Sequence, residues 1–209
     1  MRKPFLTFIV VFITACGFAQ DVESSNVDYY EIKGELKNVP DSTIIELSRN
    51  EDNLICTIMT DTIVDGRFHF RIKPGSLSRE RLSLGCYHSE QFPKMSLRLW
   101  ASAGDIIKVT GDNTLIYTWR VEGNAPENAS WQTFLNDSRE LYDNLQRNLL
   151  YEYEIYKEAM LIPQEKRQAY IREKFDSIRN TANAISIQIH TNEIRRMKEA
   201  EVDAVWLDR

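Results

Sequence analysis

The feature that most limits what this chain can fold into is a change of hydrophobic period at Gly123, from two residues before it to about 3.6 after it. A period of two puts successive side chains on opposite faces of a strand, whereas the longer period lines one face of a helix. A single switch of this kind predicts the α+β class, here an antiparallel β-sandwich followed by a C-terminal α-helical hairpin. The boundaries read as a signal peptide over 1–19, a β-sandwich domain over 27–123, and a helical hairpin with a charged tail over 124–209.

Within the β part, Tyr30 to Leu36 opens a series of short alternating runs. Pro40-Asp41-Ser42 supplies a turn, because Pro presets φ and Asp or Ser can bond back to the bend. Thr43 to Leu47, Leu54 to Thr60 and Thr62 to Val64 follow. Asp65-Gly66 is the strongest hairpin signal in the chain, since Gly tolerates the positive φ that a tight two-residue turn demands. After it, Phe68, Phe70 and Ile72 are expected to face in, with Arg67, His69 and Arg71 facing out. Arg81 to Tyr87, Met95 to Trp100, Asp105 to Thr110 and Leu115 to Val121 complete the expected strands.

The α part begins at Asn124-Ala125-Pro126-Glu127, which reads as an N-cap, a first-turn proline and the glutamate of a capping box. Trp131, Phe134, Leu135, Leu141, Tyr142, Leu145 and Leu149 form one stripe along a first helix. Leu161-Ile162-Pro163 breaks it. A second helix carries Ile171, Phe175, Ile178, Ala182, Ile185 and Ile189 at helical spacing, so the two are expected to pack as an antiparallel hairpin. The tail is charged, with Val202, Val205, Trp206 and Leu207 near its end, which reads as a surface that expects a partner or a further domain.

Ahead of all this, Arg2 and Lys3 precede an apolar run from Phe5 to Ile13, the pattern of an export signal. Ile13-Thr14-Ala15-Cys16 has the order of a bacterial lipoprotein box, in which the Cys16 thiol is acylated. Gly17-Phe18-Ala19 offers a competing cleavage after Ala19. Both place the mature chain in the periplasm or at the outer membrane, not in the cytoplasm, and contact with the membrane would come from a lipid on Cys16 alone. A net charge of −5 provides no electrostatic reason to bind nucleic acid, whose affinity comes mainly from clustered Lys and Arg on phosphates.

Cys56 and Cys86 remain after the signal, each on the same alternating face as Leu or Ile. An inward disulfide is one reading of the pair. Two unpaired thiols behaving as small hydrophobes is the other, and the preferred one, because sequence does not establish the required geometry. His69, His88 and His190, expected on a strand face, in a loop and at a helix end, share no metal-ligand spacing, and no cofactor motif is present. Trp100, Tyr117 and Trp119 are the candidate ligand platform: an exposed aromatic face on a sandwich can stack on a sugar ring, although Trp more often packs in a core.

The order Ile32-x-Gly34-x-Leu36, Ile44-x-x-Leu47, Asp61-Thr62, Asp65-Gly66-x-Phe68-x-Phe70, Gly104-Asp105-Ile106-x-Lys108-Val109, Val121-x-Gly123 and Asn128 resembles a β-domain of unknown function. That domain occurs in envelope proteins of gut-type Gram-negative bacteria, usually ahead of a thioredoxin-like domain of the thiol:disulfide interchange type. The resemblance covers roughly Tyr30 to Ile189 and rests on turn and strand patterns. It implies a binding or accessory module without the thioredoxin-like domain. Oxidoreductase activity is not carried over, because no Trp-Cys-x-x-Cys stands in the sequence.

The expectation is therefore a non-catalytic envelope lipoprotein with no catalytic residues and no metal. Its partner would be another envelope protein, or a second copy docking through the hairpin. Two alternatives are the front portion of a split thioredoxin-like oxidoreductase and a carbohydrate-binding or adhesion module. Protein purified from its native envelope is expected to have the intact mass of a chain that starts at Cys16 and carries acyl groups; a chain starting at Gln20 overturns the tether.

Overall fold

The computed structural model describes residues 28–51, 54–75, 78–199 and 202, so Cys16, the expected signal peptide over 1–19 and the apolar residues Val205, Trp206 and Leu207 lie outside the described residues. Eight strands form two four-stranded sheets: β1 (Tyr30–Leu36), β2 (Ile44–Glu51), β3 (Leu54–Thr62), β4 (Arg67–Ile72), β5 (Glu80–Gly85), β6 (Leu97–Ala101), β7 (Ile106–Gly111) and β8 (Arg120–Glu122). One sheet runs β4-β1-β7-β8 and the other β3-β2-β5-β6. Alternation does the sorting: Phe68, Phe70 and Ile72 of β4 are buried between the sheets and Arg67, His69 and Arg71 are exposed. Ile32 and Val109 meet Leu47, Leu84 and Leu99 from the other sheet in one apolar cluster.

The sandwich is antiparallel except for one pair, since β1 lies parallel to β7. Parallel neighbours need a long crossover, and the chain supplies one by building the whole second sheet between them. Asp65-Gly66 makes its turn with positive φ at both residues, 50° and 71°, and Val64 and Arg67 exchange both backbone bonds across it. The turn does not close a hairpin within one sheet; it carries the chain from β3 in one sheet to β4 in the other. Gly34 has a different reason to be glycine: a Cβ there would stand 1.8 Å from a ring carbon of Phe68.

Two expectations about elements need correction. Leu115–Val121 is not one strand, because Ile116–Thr118 forms a single 3-10 turn before the short β8. The first helical stripe belongs to two helices, α1 (Pro126–Asp137) and α2 (Arg139–Met160), separated at Ser138, whose φ of −123° leaves the helical region. The six-residue step from Leu135 to Leu141 marks that break. Ala125 is the N-cap of α1 with no side-chain cap, and Glu127 instead holds Arg79 through two hydrogen bonds of 2.8 and 2.7 Å.

Helix α3 (Gln164–Glu199) is 36 residues long, about 54 Å at the α-helical rise, and pairs with α2 as the expected hairpin. Its far end returns to the α1–α2 corner. There Tyr142 donates to Glu193 at 2.7 Å, Asn192 donates to Ser138 and Arg196 pairs with Asp137. His190 consequently lies inside α3, not at a helix end.

Helix α1 packs beside β6 and β8, the edge strands on one side of the sandwich. Asn128, 2% exposed, donates to the Trp100 carbonyl at 2.9 Å and accepts from the Trp100 N–H at 2.8 Å, as a neighbouring strand would. Gln132 donates to the Trp119 carbonyl, and buried Gln146 of α2 accepts from the Tyr117 N–H at 2.9 Å. Unpaired edge groups invite foreign strands or cost desolvation energy. Asn128→Ala is expected to destabilise the protein by about 2–4 kcal/mol, for two buried backbone groups stranded at once. Exposed Asn136→Ala, about two turns further along α1, should stay within about 0.5 kcal/mol in the same urea titration.

Candidate functional site

The inward positions of the β4-β1-β7-β8 sheet are used up by the core, so any site on it must come from the outward set. Strand register places four outward residues in one row across all four strands: Arg67 of β4 opposite Glu35 of β1, Glu35 opposite Thr110 of β7, and Thr110 opposite Arg120 of β8. Row members on adjacent strands stand about 5 Å apart, so the row spans about 14 Å. It forms the floor of an open groove of about 600 Å³, which Lys37, Asp65, Asp112 and, from the first turn of α2, Arg139 close in.

Four cations line this groove against three carboxylates. Glu35, directly opposite Arg67, turns to Lys108 at 3.0 Å instead. Asp112 accepts a hydrogen bond from Asn113. Among the described residues, Arg67, Arg120 and Arg139 have no carboxylate partner, and all three are exposed. The adjacent row behaves differently: Lys33 bonds Glu31 at 2.7 Å and His69 reaches the same carboxylate at 3.1 Å, and these two bonds, Lys33's first, hold the Glu31 carboxyl below the usual carboxylate range. Guanidinium presents a planar fork of donors that fits carboxylate or phosphate oxygens in pairs. Three such forks around one groove can hold an anion. They offer no nucleophile or paired acid and base.

The residues singled out from sequence lie elsewhere. Trp100, Tyr117 and Trp119 form no solvent-facing platform. Trp100 does point away from Leu97 and Leu99, but α1 covers that face and sets Trp131 against it at 6.3 Å, leaving Trp100 5% exposed. Trp119 is 1% exposed, stands edge-on to Phe92 at 6.1 Å and donates to the Asn113 carbonyl. The 3-10 turn breaks the alternation that would have put Tyr117 and Trp119 on one face, and Tyr117 packs against Tyr142.

Cys56 and Cys86 are both free thiols, and the disulfide reading fails on topology. Cys56 on β3 and Cys86 at the end of β5 flank β2 on opposite sides, about 10 Å apart before any offset along the strands. A disulfide needs Cα atoms within about 7 Å. Burial, helped by the Glu46 carboxylate, pushes the Cys86 thiol up to about 12. Another pairing absent from the sequence reading closes the far end of the sandwich: Arg49 bonds Glu80 at 2.7 Å while Tyr30 donates to the same carboxylate and Glu80 also takes the Gly75 N–H. Burial raises the Tyr30 hydroxyl above its usual range. The cluster is charged but sealed, with Glu80 8% exposed, so it anchors the fold and offers no ligand access.

Among the described residues, no group of three His, Cys, Asp or Glu side chains could hold a metal ion, and no helix is long and apolar enough to cross a membrane. Comparison of the chain with protein-family models, curated proteins and solved structures finds no match. Arg67, Arg120 and Arg139 were not legible as a set, because only the pairing of β4, β1, β7 and β8 brings the first two into one row and only the packing of α2 sets the third beside it. Alkylation of the native protein at pH 8 is expected to label Cys56 and to reach Cys86 only after denaturation, since a thiol with a pKa near 12 is almost wholly protonated there. No labelling at all before reductant is added would restore the disulfide.

Proposed function

We propose that the mature chain is a non-catalytic binding module of the bacterial envelope, held at the membrane by a lipid on Cys16, and that the groove across the β4-β1-β7-β8 sheet is where it takes its ligand. The observation that carries this reading is the set of three guanidiniums without carboxylate partners around one cavity of about 600 Å³. Exposed arginines without an ion-pair partner among the described residues also stand on the helices, as at Arg147, Arg172 and Arg179, so what distinguishes the groove is that it gathers three of them around one space. These three have no carboxylate partner, although Glu35 stands directly across from Arg67. A cavity of this volume suits a small molecule or a few residues of a polymer. The leader sequence supports the address.

The test uses the full mature chain labelled with nitrogen-15 and a soluble extract of the envelope it comes from. Amide shifts are expected at 35–37, 65–67, 110–112 and 118–120, and they should disappear in an Arg67→Glu, Arg120→Glu double variant that keeps the wild-type melting temperature. Shifts confined to other surfaces, or no shifts at all, overturn the reading.

A further inference from the structure

We infer that the groove binds an acidic oligosaccharide, with anionic groups on the sugar meeting the arginines and sugar hydroxyls donating to the acidic and hydroxyl side chains between them. This rests on the reading of the groove as a ligand site and names what fills it. The first ground is spacing. Arg67 and Arg120 rise from opposite edge strands of the sheet, about 14 Å apart at the backbone. A single small anion cannot engage both without the two side chains folding toward each other over the open floor. A ligand with acidic groups on successive or alternate rings engages them as they stand.

The second ground is the chemistry between the arginines. A bare phosphate or polyphosphate is repelled by carboxylates and brings no row of sugar hydroxyls to donate to them. Here Asp65 and Asp112 stand on the rim with the Thr110 hydroxyl on the floor. Carboxylates and hydroxyls accept from hydroxyl donors, and a sugar is the common ligand that brings many hydroxyls together with an acid. Acceptor groups therefore lie between and beside the arginines across the groove. The third ground is shape: the strand row makes an elongated floor whose side chains come from β4, β1, β7 and β8 in turn, the form that suits a short chain laid across the strands.

Anionic groups on a sugar can be carboxylates, as in uronic acids, or phosphates, and guanidinium accepts both. The experiment separates them. Full mature chain is titrated by calorimetry at low ionic strength with a trimeric uronic acid, a phosphorylated trisaccharide, the neutral trisaccharide of matching linkage, and inorganic phosphate. At least one acidic trimer is expected to bind ten or more times more tightly than the neutral trimer and than inorganic phosphate, and whichever acidic trimer wins identifies the acid. Arg67→Ala and Arg120→Ala should each weaken that binding about tenfold with unchanged melting temperature, and Asp65→Asn should weaken it without abolishing it.

Equal binding of neutral and acidic trimers overturns the proposal. So does inorganic phosphate binding as tightly as either acidic trimer; the groove would then be an anion site, and the reading of it as a ligand site would stand. Binding of an acidic trimer that the arginine variants leave unaltered places the sugar elsewhere and overturns both. No binding of either acidic trimer, in protein whose groove amides do shift with envelope extract, overturns the sugar alone.

Discussion

The structure depends on how the open side of the sandwich at β6 and β8 is closed. Two stacked sheets leave two edges on each side, and backbone groups there must find partners or be wetted. On this side a side chain does the work of a strand: Asn128 returns both bonds to Trp100, and Gln132 and Gln146 serve Trp119 and Tyr117 in the same manner. These amides can sit there only because α1 and α2 pack against the edge, and the helices pack because Trp131, Phe134 and Tyr142 join the apolar cluster of the sheets. The helical part is therefore continuous with the β core. On the opposite side a smaller device acts on β4, whose His69 N–H is met by the Asp61 carboxylate reaching across from β3.

Closing that edge also creates the groove. Helix α2 must begin beside β8 if Gln146 is to reach Tyr117, and its first residue, Arg139, then overhangs the outward face of the sheet. The remaining arginines are set by ladder register, with Arg67 at one edge and Arg120 at the other. Positions defined by strand pairing are more reproducible than positions on loops, which matters for a site that has to match charges at a distance. The same geometry leaves Arg67 and Arg120 without a counterion from their own row: the row between them holds one glutamate, and Lys108 on the neighbouring row claims it.

The period switch at Gly123, the inward set of β4, the Asp65-Gly66 turn and the α2–α3 hairpin were all legible, because each follows from spacing within a few residues. What escaped follows from contacts between distant segments. Alternation alone cannot show that β1 and β7 run parallel, that α1 covers Trp100, or that Arg67 and Arg120 share a row with about fifty residues between them in sequence. Asn128 was visible as part of a recurring order, yet its role needed the Trp100 backbone beside it. The aromatic platform failed for a physical reason: a large apolar surface is more stable under a helix than in water, and α1 was available to cover it.

A basic groove on an acidic protein has a particular electrostatic character. With a net charge of −5 the chain as a whole repels anions at long range, and salt reduces that field within about 8–10 Å. An anionic ligand is therefore not steered in from afar, as it would be by a uniformly basic surface. It meets attraction only once its acidic groups come within reach of Arg67, Arg120 and Arg139, where hydrogen-bond direction counts as much as charge. Such an arrangement favours discrimination through geometry more than through encounter rate. For the envelope module proposed above, that selectivity would let the groove pass over most anionic polymers around it.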